Sequence, residues 1–340
     1  MRSSLRTIVV LAVAAALVAV FLRNVDLWRV VGEIRRARPE WLVFSLLTMF
    51  VNLAIRAYRW QYLLDPLGKV HFGSAFQATA VGFAASTLLP ARAGEVIRPY
   101  FLARREHMSA TGAFATIILE RLLDTVTVLA LLASYVFVFD RSLSSSNPAA
   151  VAWLTWIGVV AGAISLGALL VVFVLAGDPE RLGLLAHRLG QVVPSFAEAI
   201  AGVAEKFARG LSAIRHPRRL LIAVLWSIPL WLSIAAGVWA VAVAFQLAVP
   251  FSGSFLIIAI LVLGVAVPTP GAVGGFHAAF RYGATAFFGA PDDAAVGAAI
   301  VLHILTIGPS LLLGLYFAAQ AGLNVSRMRE LAVTAPGDAG

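Results

Sequence analysis

Charged side chains follow a proline-containing interruption in the apolar first half of this 340-residue sequence. Arg92, Glu95 and Arg98 recur every three residues after Pro90, and Arg56 lies inside an earlier apolar stretch. Arginine binds phosphate oxygens through forked hydrogen bonds, and the beginning of a helix presents free N–H groups to an anion. These residues therefore predict a binding site for a phosphate group.

A second charged group lies further along, where Glu120, Arg121 and Asp124 interrupt a long apolar stretch. Glu120 and Asp124 are four residues apart, so in a helix they share one face and repel each other. They therefore require cations from other segments. The candidate cations are Arg56, Arg92 and Arg98. Two interpretations stay open for this group: it binds substrate, or its ion pairs tie a helical hairpin to neighbouring helices.

The second half carries titratable residues of another kind, and they complete the predicted substrate-binding set: His277, Arg281 and His303. His277 and Arg281 are four residues apart, and His303 takes the place of Glu120 when the two halves are aligned. Each histidine can serve as a ligand, a proton carrier or a hydrogen-bonded core residue. Because no carboxylate or third histidine lies in register, the pattern predicts no metal site.

Several classes of chemistry are excluded or disfavoured by the residues present. The sequence has no cysteine, which excludes disulfides, thiolate catalysis and cysteine-ligated metals. It contains no Walker loop, dinucleotide fingerprint or zinc-binding helix, and no serine shares a motif with a histidine and a carboxylate. The expectation is a protein that uses no cofactor and is not an enzyme.

Composition places these charges in a membrane protein. Hydrophobic residues make up 61% of the chain and charged residues 13%, whereas soluble domains are about 45–50% apolar and about 25% charged. The net charge of +9 comes almost wholly from arginine, since Lys69 and Lys206 are the only lysines. In a membrane protein such an excess favours contact with anionic lipid over nucleic acid.

Long apolar stretches must position the charged residues, and the longer ones exceed the ~20 residues that cross a bilayer. Thr7–Leu22 follows two arginines and is interpreted as a retained first helix rather than a cleaved signal peptide. Arg59 is expected to extend its guanidinium group to the membrane interface. The other stretches are Trp41–Leu64, Phe72–Leu89, Thr111–Phe139, Val151–Ala176, Leu220–Leu247, Phe255–Val267, Ala272–Phe288 and Ala294–Ala319.

Two proline and glycine breaks interrupt these stretches at corresponding places, because Phe76–Pro90 aligns with Phe255–Pro268. Paired breaks of this kind form the midplane site of many transporters. For the second break two interpretations stay open: its N–H groups cradle an anion, or its glycines allow close helix packing. The residues that define the two breaks are Pro90, Gly94, Pro268, Pro270, Gly271, Gly274 and Gly275.

The predicted fold is an all-α polytopic membrane protein with about six spanning helices and two re-entrant hairpins at the breaks. Residues 1–323 form one transmembrane domain, built from two inverted repeats at 1–140 and 150–323. An amphipathic connector at 181–215 lies on the membrane surface, and residues 324–340 form a polar tail. The positive-inside rule then predicts cytoplasmic termini, although the outer loop at 23–38 contains five arginines.

The charged motifs, taken together, resemble a known family. P-x-R-x-G-E followed by E-R-x-x-D, with P-x-P-G in the second half, is similar to the flippase-like transmembrane domain of lysylphosphatidylglycerol synthases. The segments that carry the resemblance are Asn52–Trp60, Leu89–Arg98, Glu120–Asp124 and Pro268–Gly271. The resemblance implies movement of a lipid between leaflets, classically an aminoacylated phosphatidylglycerol. It also implies a stand-alone member of the family that does not make lysyl-lipid itself.

This sequence departs from the family pattern at the second break. Family sequences usually read P-x-P-G-G-x-G followed by glutamate, whereas here Ala272 replaces the second glycine and His277 stands at the acidic position. The departure implies a different substrate.

The expected function is therefore a lipid flippase in the bacterial cytoplasmic membrane, which binds an anionic lipid headgroup and no nucleic acid. One alternative is an integral-membrane enzyme that acts on a lipid phosphate or a lipid-linked sugar, with Glu95 or Glu120 as acid or base. Another is a scaffold for a lipid-modifying complex, with a lipid-biosynthesis enzyme as partner. The sequence leaves the oligomeric state open.

Overall fold

The computed structural model describes residues 19, 21–22, 25–89, 92–139, 152–153, 155–164, 167, 217–267 and 269–323. Within these ranges every regular element is helical, which confirms the predicted all-α class. The helices are α1 (Leu27–Arg36), α2 (Pro39–Leu64), α3 (Phe72–Leu88), α4 (Gly94–Glu106), α5 (Ala110–Ser134), α6 (Thr155–Ile164), α7 (Pro217–Ala244), α8 (Gly253–Ala266), α9 (Gly275–Phe288) and α10 (Asp292–Gln320).

Four of the described helices are long and apolar enough to cross a membrane. They are α2 with its following turn, α5 with a π-helical extension at Tyr135–Phe139, α7 and α10. Each exceeds the ~20 residues that a bilayer requires. The predicted first helix, the connector at 181–215 and the tail at 324–340 lie wholly or mostly outside the described residues, so the expected six spans stay a prediction.

The segments on either side of each break fold back on each other as helical hairpins. In the first hairpin, formed by α3 and α4, His71 Nδ1, just before α3, lies 3.2 Å from Glu106 Oε2 at the end of α4. Near the break, Gly82 of α3 packs against Arg98 of α4. The second hairpin, formed by α8 and α9, has the same antiparallel arrangement, since Gly253 faces Phe288 at its open end.

Glycine is required where the two helices of each hairpin cross. A Cβ added at Gly94 would overlap the carbonyl oxygen of Gly82, and a Cβ added at Gly275 would overlap that of Gly264. Small residues let helix backbones approach this closely in membranes. At Gly275 the second break therefore has the close helix packing that one of the two interpretations expects. Pro90 and Pro268, which define the breaks in the sequence, lie outside the described residues.

Two apolar cores hold the hairpins against the long helices. One core joins α2, α3, α4 and α5 with Ala318 of α10, and the other joins α7 to α10 with the end of α5 and Val30 of α1. The halves are tied across the long helices: Asn52 Nδ2 of α2 donates to the Leu230 carbonyl of α7 at 2.9 Å. A Cβ added at Gly314 of α10 would overlap the Ala80 carbonyl of α3, so these two helices also pack backbone to backbone.

Candidate functional site

Six charged side chains from three helices converge in the interior, and we call them the arginine–carboxylate cluster. Its members are Arg56 and Arg59 of α2, Arg98 of α4, and Glu120, Arg121 and Asp124 of α5. The Glu120 side chain has no exposed surface, and only Arg121, with 39% of its side chain exposed, reaches outward appreciably. The cluster therefore fixes the first hairpin to two long helices.

Glu120 is the acceptor at the centre of the cluster. Its Oε1 receives hydrogen bonds from Arg56 Nη1 at 3.1 Å, Arg98 Nη1 at 3.0 Å and Arg121 Nη2 at 2.7 Å. These donors come from α2, α4 and α5, so one carboxylate joins three helices. The repulsion expected between Glu120 and Asp124 is thus offset by cations from other segments, and two of the three predicted cations, Arg56 and Arg98, are among them. The third, Arg92, lies near Glu95 instead.

Asp124 joins the cluster to α7. Its Oδ1 accepts from Arg59 Nη2 at 2.8 Å and from Trp231 Nε1 at 3.1 Å, and its Oδ2 accepts from Arg56 Nη1 at 3.1 Å. Arg59 also donates to Ser227 Oγ at 2.7 Å. The prediction that Arg59 extends to the interface is wrong, because its side chain is fully buried. Two ordered acceptors offset the cost of its desolvation.

An aromatic side chain fixes the plane of the Arg98 guanidinium group. Its Cζ lies 3.9 Å from the centroid of the Trp60 ring, within the range of a cation–π interaction. Trp60 Nε1 in turn donates to Thr116 Oγ1 at 2.9 Å. Trp60 is not among the predicted site residues, although its place four residues after Arg56 puts both side chains on one helix face.

The cluster holds more positive than negative charge. Four guanidinium groups face two carboxylates, and several donors have no partner among the described residues. The unpaired donors are Arg56 Nε, Arg59 Nε, Arg98 Nε and Nη2, and Arg121 Nε. Glu120 Oε2 is an acceptor that also lacks a partner there. Buried polar groups are normally hydrogen-bonded, so the cluster has several unused donors and one unused acceptor, all of them buried.

A cavity of about 660 Å³ opens beside the cluster and between the tips of the two hairpins. Arg98, Arg121 and Asp124 form part of its wall, and Thr269 and Gly271 contribute the tip of the second hairpin. Much of the remaining lining is apolar. The cavity therefore combines charged and apolar lining, as a site for an amphipathic ligand does.

Arg92 and Glu95 line the same cavity from the tip of the first hairpin. Their side chains are 46% and 36% exposed, and Arg92 Nη1 lies 4.0 Å from Glu95 Oε1. Arg92 Nη2 donates to the Val265 carbonyl at the end of α8, at 2.9 Å. The tips of the two hairpins are therefore in contact. Arg92 has a φ of +53°, a left-handed conformation that costs an arginine energy.

The histidines of the second half hold the backbone of the second break. His303 Nε2 donates to the Gly271 carbonyl at 2.7 Å, and His277 Nδ1 accepts from the Gly274 N–H at 3.3 Å. The two rings lie 4.4 Å apart. Gly271 and Gly274 have φ values of +60° and +87°, respectively, which glycine tolerates best. Neither histidine contributes to the cavity wall, and their predicted binding roles stay predictions.

Arg281 lies apart from the cavity. Its Nε donates to Asp292 Oδ1 at 2.6 Å, and its Nη2 pairs with the other oxygen of the same carboxylate. Its Nη1 donates to the Phe21 carbonyl. This side chain joins the beginning of α10 to the N-terminal segment. Among the described residues, no three His, Asp or Glu side chains converge as metal ligands would.

Replacing Trp60 with phenylalanine tests how far the aromatic support of Arg98 stabilises the cluster. The Trp60→Phe variant loses the hydrogen bond to Thr116, worth about 1 kcal/mol, and part of the cation–π attraction. We expect its free energy of unfolding in mixed micelles to fall by about 1–2 kcal/mol. The matched control is Trp156→Phe in α6, whose side chain is exposed and whose change should have little effect. Equal stability of Trp60→Phe and wild type would contradict this account.

This chain is similar in sequence to several known proteins. AglD of Haloferax volcanii, named a glycosyltransferase, is 24% identical over an alignment of 341 positions that covers 92% of this chain and 53% of AglD. UPF0104 membrane proteins also match over shorter stretches. The one from Methanocaldococcus jannaschii is 22% identical over 36% of this chain and 38% of its own length. The one from Methanothermobacter thermautotrophicus is 34% identical over 28% of this chain and 30% of its own.

This chain spans about half the length of AglD and a smaller share of the two archaeal membrane proteins. A family match covers nearly all of it: residues 7–314 match the family described as the lysylphosphatidylglycerol synthase TM region. That range includes the arginine–carboxylate cluster, both hairpins and the cavity. The chain therefore belongs to the lysylphosphatidylglycerol synthase transmembrane-region family and is a multi-pass membrane protein.

Proposed function

We propose that this protein moves a lipid with a phosphate-bearing headgroup between the two leaflets of its membrane. The observation that supports the proposal is the cavity between the hairpin tips, whose charged wall contains Arg92, Arg98 and Arg121. Arginine forks match the oxygens of a phosphate. Inside a membrane such a wall is costly unless an anion or water occupies it.

Each part of the cavity has a separate task in this proposal. The arginines hold the headgroup phosphate, while Glu95 positions Arg92 or accepts hydrogen bonds from polar groups of the headgroup. The lipid chains stay in the bilayer and pass along the apolar wall, which includes Phe83 and Ile258. The headgroup thereby crosses without entering the hydrocarbon. Entry of a polar headgroup into hydrocarbon is the step that makes unassisted exchange slow.

The proposal includes two inverted repeats, each made of a re-entrant hairpin followed by a long helix. The order α3, break, α4 and α5 recurs as α8, break, α9 and α10. The close glycine crossings, Gly82 with Gly94 and Gly264 with Gly275, recur in both hairpins. Transporters that are built this way alternate access by moving one repeat against the other around a fixed site. The contact between Arg92 and Val265 lies where such movement would occur.

The Arg92→Ala variant tests the proposal without breaking the buried cluster. Arg92 is partly exposed and belongs to the cavity wall rather than to the cluster. Loss of one charge-assisted phosphate contact, worth about 1.5–3 kcal/mol, should slow leaflet exchange roughly tenfold or more. The measurement is quenching of a tail-labelled anionic phospholipid in liposomes that contain the purified protein.

The matched control is Arg104→Ala, which removes an exposed arginine from α4 outside the cavity. Arg104→Ala should keep the wild-type unfolding temperature within a few degrees, because a surface change usually costs under about 0.5 kcal/mol. Arg92→Ala also loses its hydrogen bond to the Val265 carbonyl, worth about 1 kcal/mol, so its unfolding temperature should fall only slightly further. Wild-type exchange no faster than in protein-free liposomes would refute the proposed function. Equal exchange by Arg92→Ala and wild type would refute the role of Arg92.

A second candidate function is enzymatic transfer on a lipid phosphate or a lipid-linked sugar. The match to AglD, which is named a glycosyltransferase, covers nearly the whole chain. Glu95 also presents a partly exposed carboxylate to the cavity, 4.0 Å from its nearest arginine, where it can act as a general base. Turnover of a radiolabelled polyprenyl phosphate sugar by the purified protein, abolished in Glu95→Gln, would favour this function over exchange.

A further inference from the structure

We propose that the cavity selects a headgroup with two negative charges, a terminal phosphate monoester or a diphosphate, over a phosphodiester with one. This inference rests on one premise of the proposed function, namely that the cavity receives a phosphate-bearing headgroup. It adds the class of headgroup.

The charge balance around the cavity supports the selection. The arginine–carboxylate cluster contains four guanidinium groups and two carboxylates, an excess of two positive charges. The further charged residues in the cavity wall are Arg92 and Glu95, which neutralise each other. Counted over the described residues of the cluster and the wall, the excess of two positive charges therefore remains.

Burial makes this excess expensive to leave uncompensated. Charges removed from water interact several times more strongly than exposed ones, and an unpaired buried charge destabilises a protein strongly. A phosphodiester carries one negative charge and would leave one positive charge uncompensated. A phosphate monoester with both protons lost, or a diphosphate esterified at both ends, carries two negative charges and neutralises the whole site.

Two arginines that line the cavity carry buried donors without a partner among the described residues. Arg98 is 95% buried, lines the cavity, and has both Nε and Nη2 without a partner among the described residues. Arg121 lines the same wall and has its Nε unpartnered. A terminal phosphate presents three oxygens to such donors, whereas a phosphodiester presents two. Stacking on Trp60 holds the Arg98 fork in one plane, which reduces the entropy lost on binding.

Two lipids that differ by one methyl group test the selection. Simple phosphate monoesters lose their second proton with a pKa of about 6, so phosphatidic acid is dianionic at about pH 8. Phosphatidylmethanol with the same chains keeps a single charge. In equilibrium binding to the purified wild-type protein in neutral micelles, we expect phosphatidic acid to bind at least about tenfold more tightly. Equal affinities would overturn the inference.

The Arg98→Gln variant tests whether the buried excess causes the preference. Removing one positive charge should reduce the affinity ratio of the two lipids to about threefold or less, because one charge-assisted contact is lost. Arg104→Gln removes the same charge from an exposed position on the same helix and should keep the wild-type ratio. If Arg98→Gln does not fold, Arg121→Gln takes its place, since Arg121 is partly exposed. An unchanged ratio in the folded variant would overturn the inference.

Inorganic phosphate separates a lipid ligand from a free anion. We expect phosphate to displace phosphatidic acid only weakly, because the lipid chains also contact the apolar wall. Displacement at equal concentrations would assign the site to free phosphate and overturn the lipid inference. In liposomes, equal exchange rates for the two lipids would refute the selection while leaving the flippase function intact. Selective binding without any exchange would refute the flippase function and leave the selection intact.

Discussion

Replacing Glu120 with glutamine is expected to destabilise the protein by about 3–5 kcal/mol, the range measured when one partner of a buried ion pair is removed. Glu120 Oε1 accepts hydrogen bonds from Arg56, Arg98 and Arg121. Without its charge, the four guanidinium groups of the cluster would face Asp124 alone. Much of the stability of a domain, about 5–15 kcal/mol, would be lost, so the variant should accumulate poorly in membranes.

The measurement is reversible unfolding in mixed micelles, followed by circular dichroism. Glu95→Gln is the matched control, because the Glu95 carboxylate is partly exposed and its nearest cation is 4.0 Å away. We expect the control to change stability by less than about 1 kcal/mol. Similar stabilities for Glu120→Gln and Glu95→Gln would show that the cluster does not hold the first hairpin in place.

Adding one methyl group at Gly94 is expected to disrupt the first hairpin. A Cβ at this position would overlap the Gly82 carbonyl oxygen and would also crowd the backbone nitrogen of Ser86. Backbone atoms cannot rotate away as a side chain can, so α3 and α4 would have to separate. The destabilisation should reach or exceed the roughly 1–3 kcal/mol typical of overpacked cores, and the cavity between the tips should change shape.

The matched control for Gly94→Ala is Gly73→Ala in α3, where an added Cβ meets nothing within 4 Å. Alanine there should be neutral or stabilising by up to about 1 kcal/mol, because it favours the helix. Gly275→Ala should repeat the damage in the second hairpin, since its Cβ would overlap the Gly264 carbonyl. Wild-type unfolding of Gly94→Ala would contradict the described crossing. Damage from Gly94→Ala but not from Gly275→Ala would restrict the requirement to the first hairpin.

The four arginines of the arginine–carboxylate cluster form two pairs with different roles. Arg56 donates to Glu120 and Asp124 of α5, and Arg59 donates to Asp124 and to Ser227 of α7. These two arginines therefore mainly join α2 to α5 and α7. Arg98 and Arg121 donate to Glu120, line the cavity, and have buried donors without a partner among the described residues. The interpretations left open by the sequence, structural ion pairs and substrate binding, are therefore compatible within one cluster.

Sequence alone was sufficient for the features that depend on composition and local spacing. The apolar stretches predicted an all-helical membrane protein, since runs above ~20 apolar residues can satisfy their backbone only as helices in lipid. The spacing of Glu120 and Asp124 predicted that both need arginines from elsewhere, and Arg56 and Arg98 do pair with Glu120. The motifs around these residues identified the family, which the match over residues 7–314 confirms.

Only the tertiary structure decided which charged residues meet and what lies between them. Arg59 is predicted at the interface but is buried against Asp124, because α7 approaches from a distant part of the chain and supplies Ser227 and Trp231. His277 and Arg281 share a helix face in the sequence, yet one contacts the second break and the other pairs with Asp292. Local spacing fixes the face of a helix on which a residue lies. The packing of distant helices decides which residues that face contacts. It also decides how much positive charge remains uncompensated around the cavity.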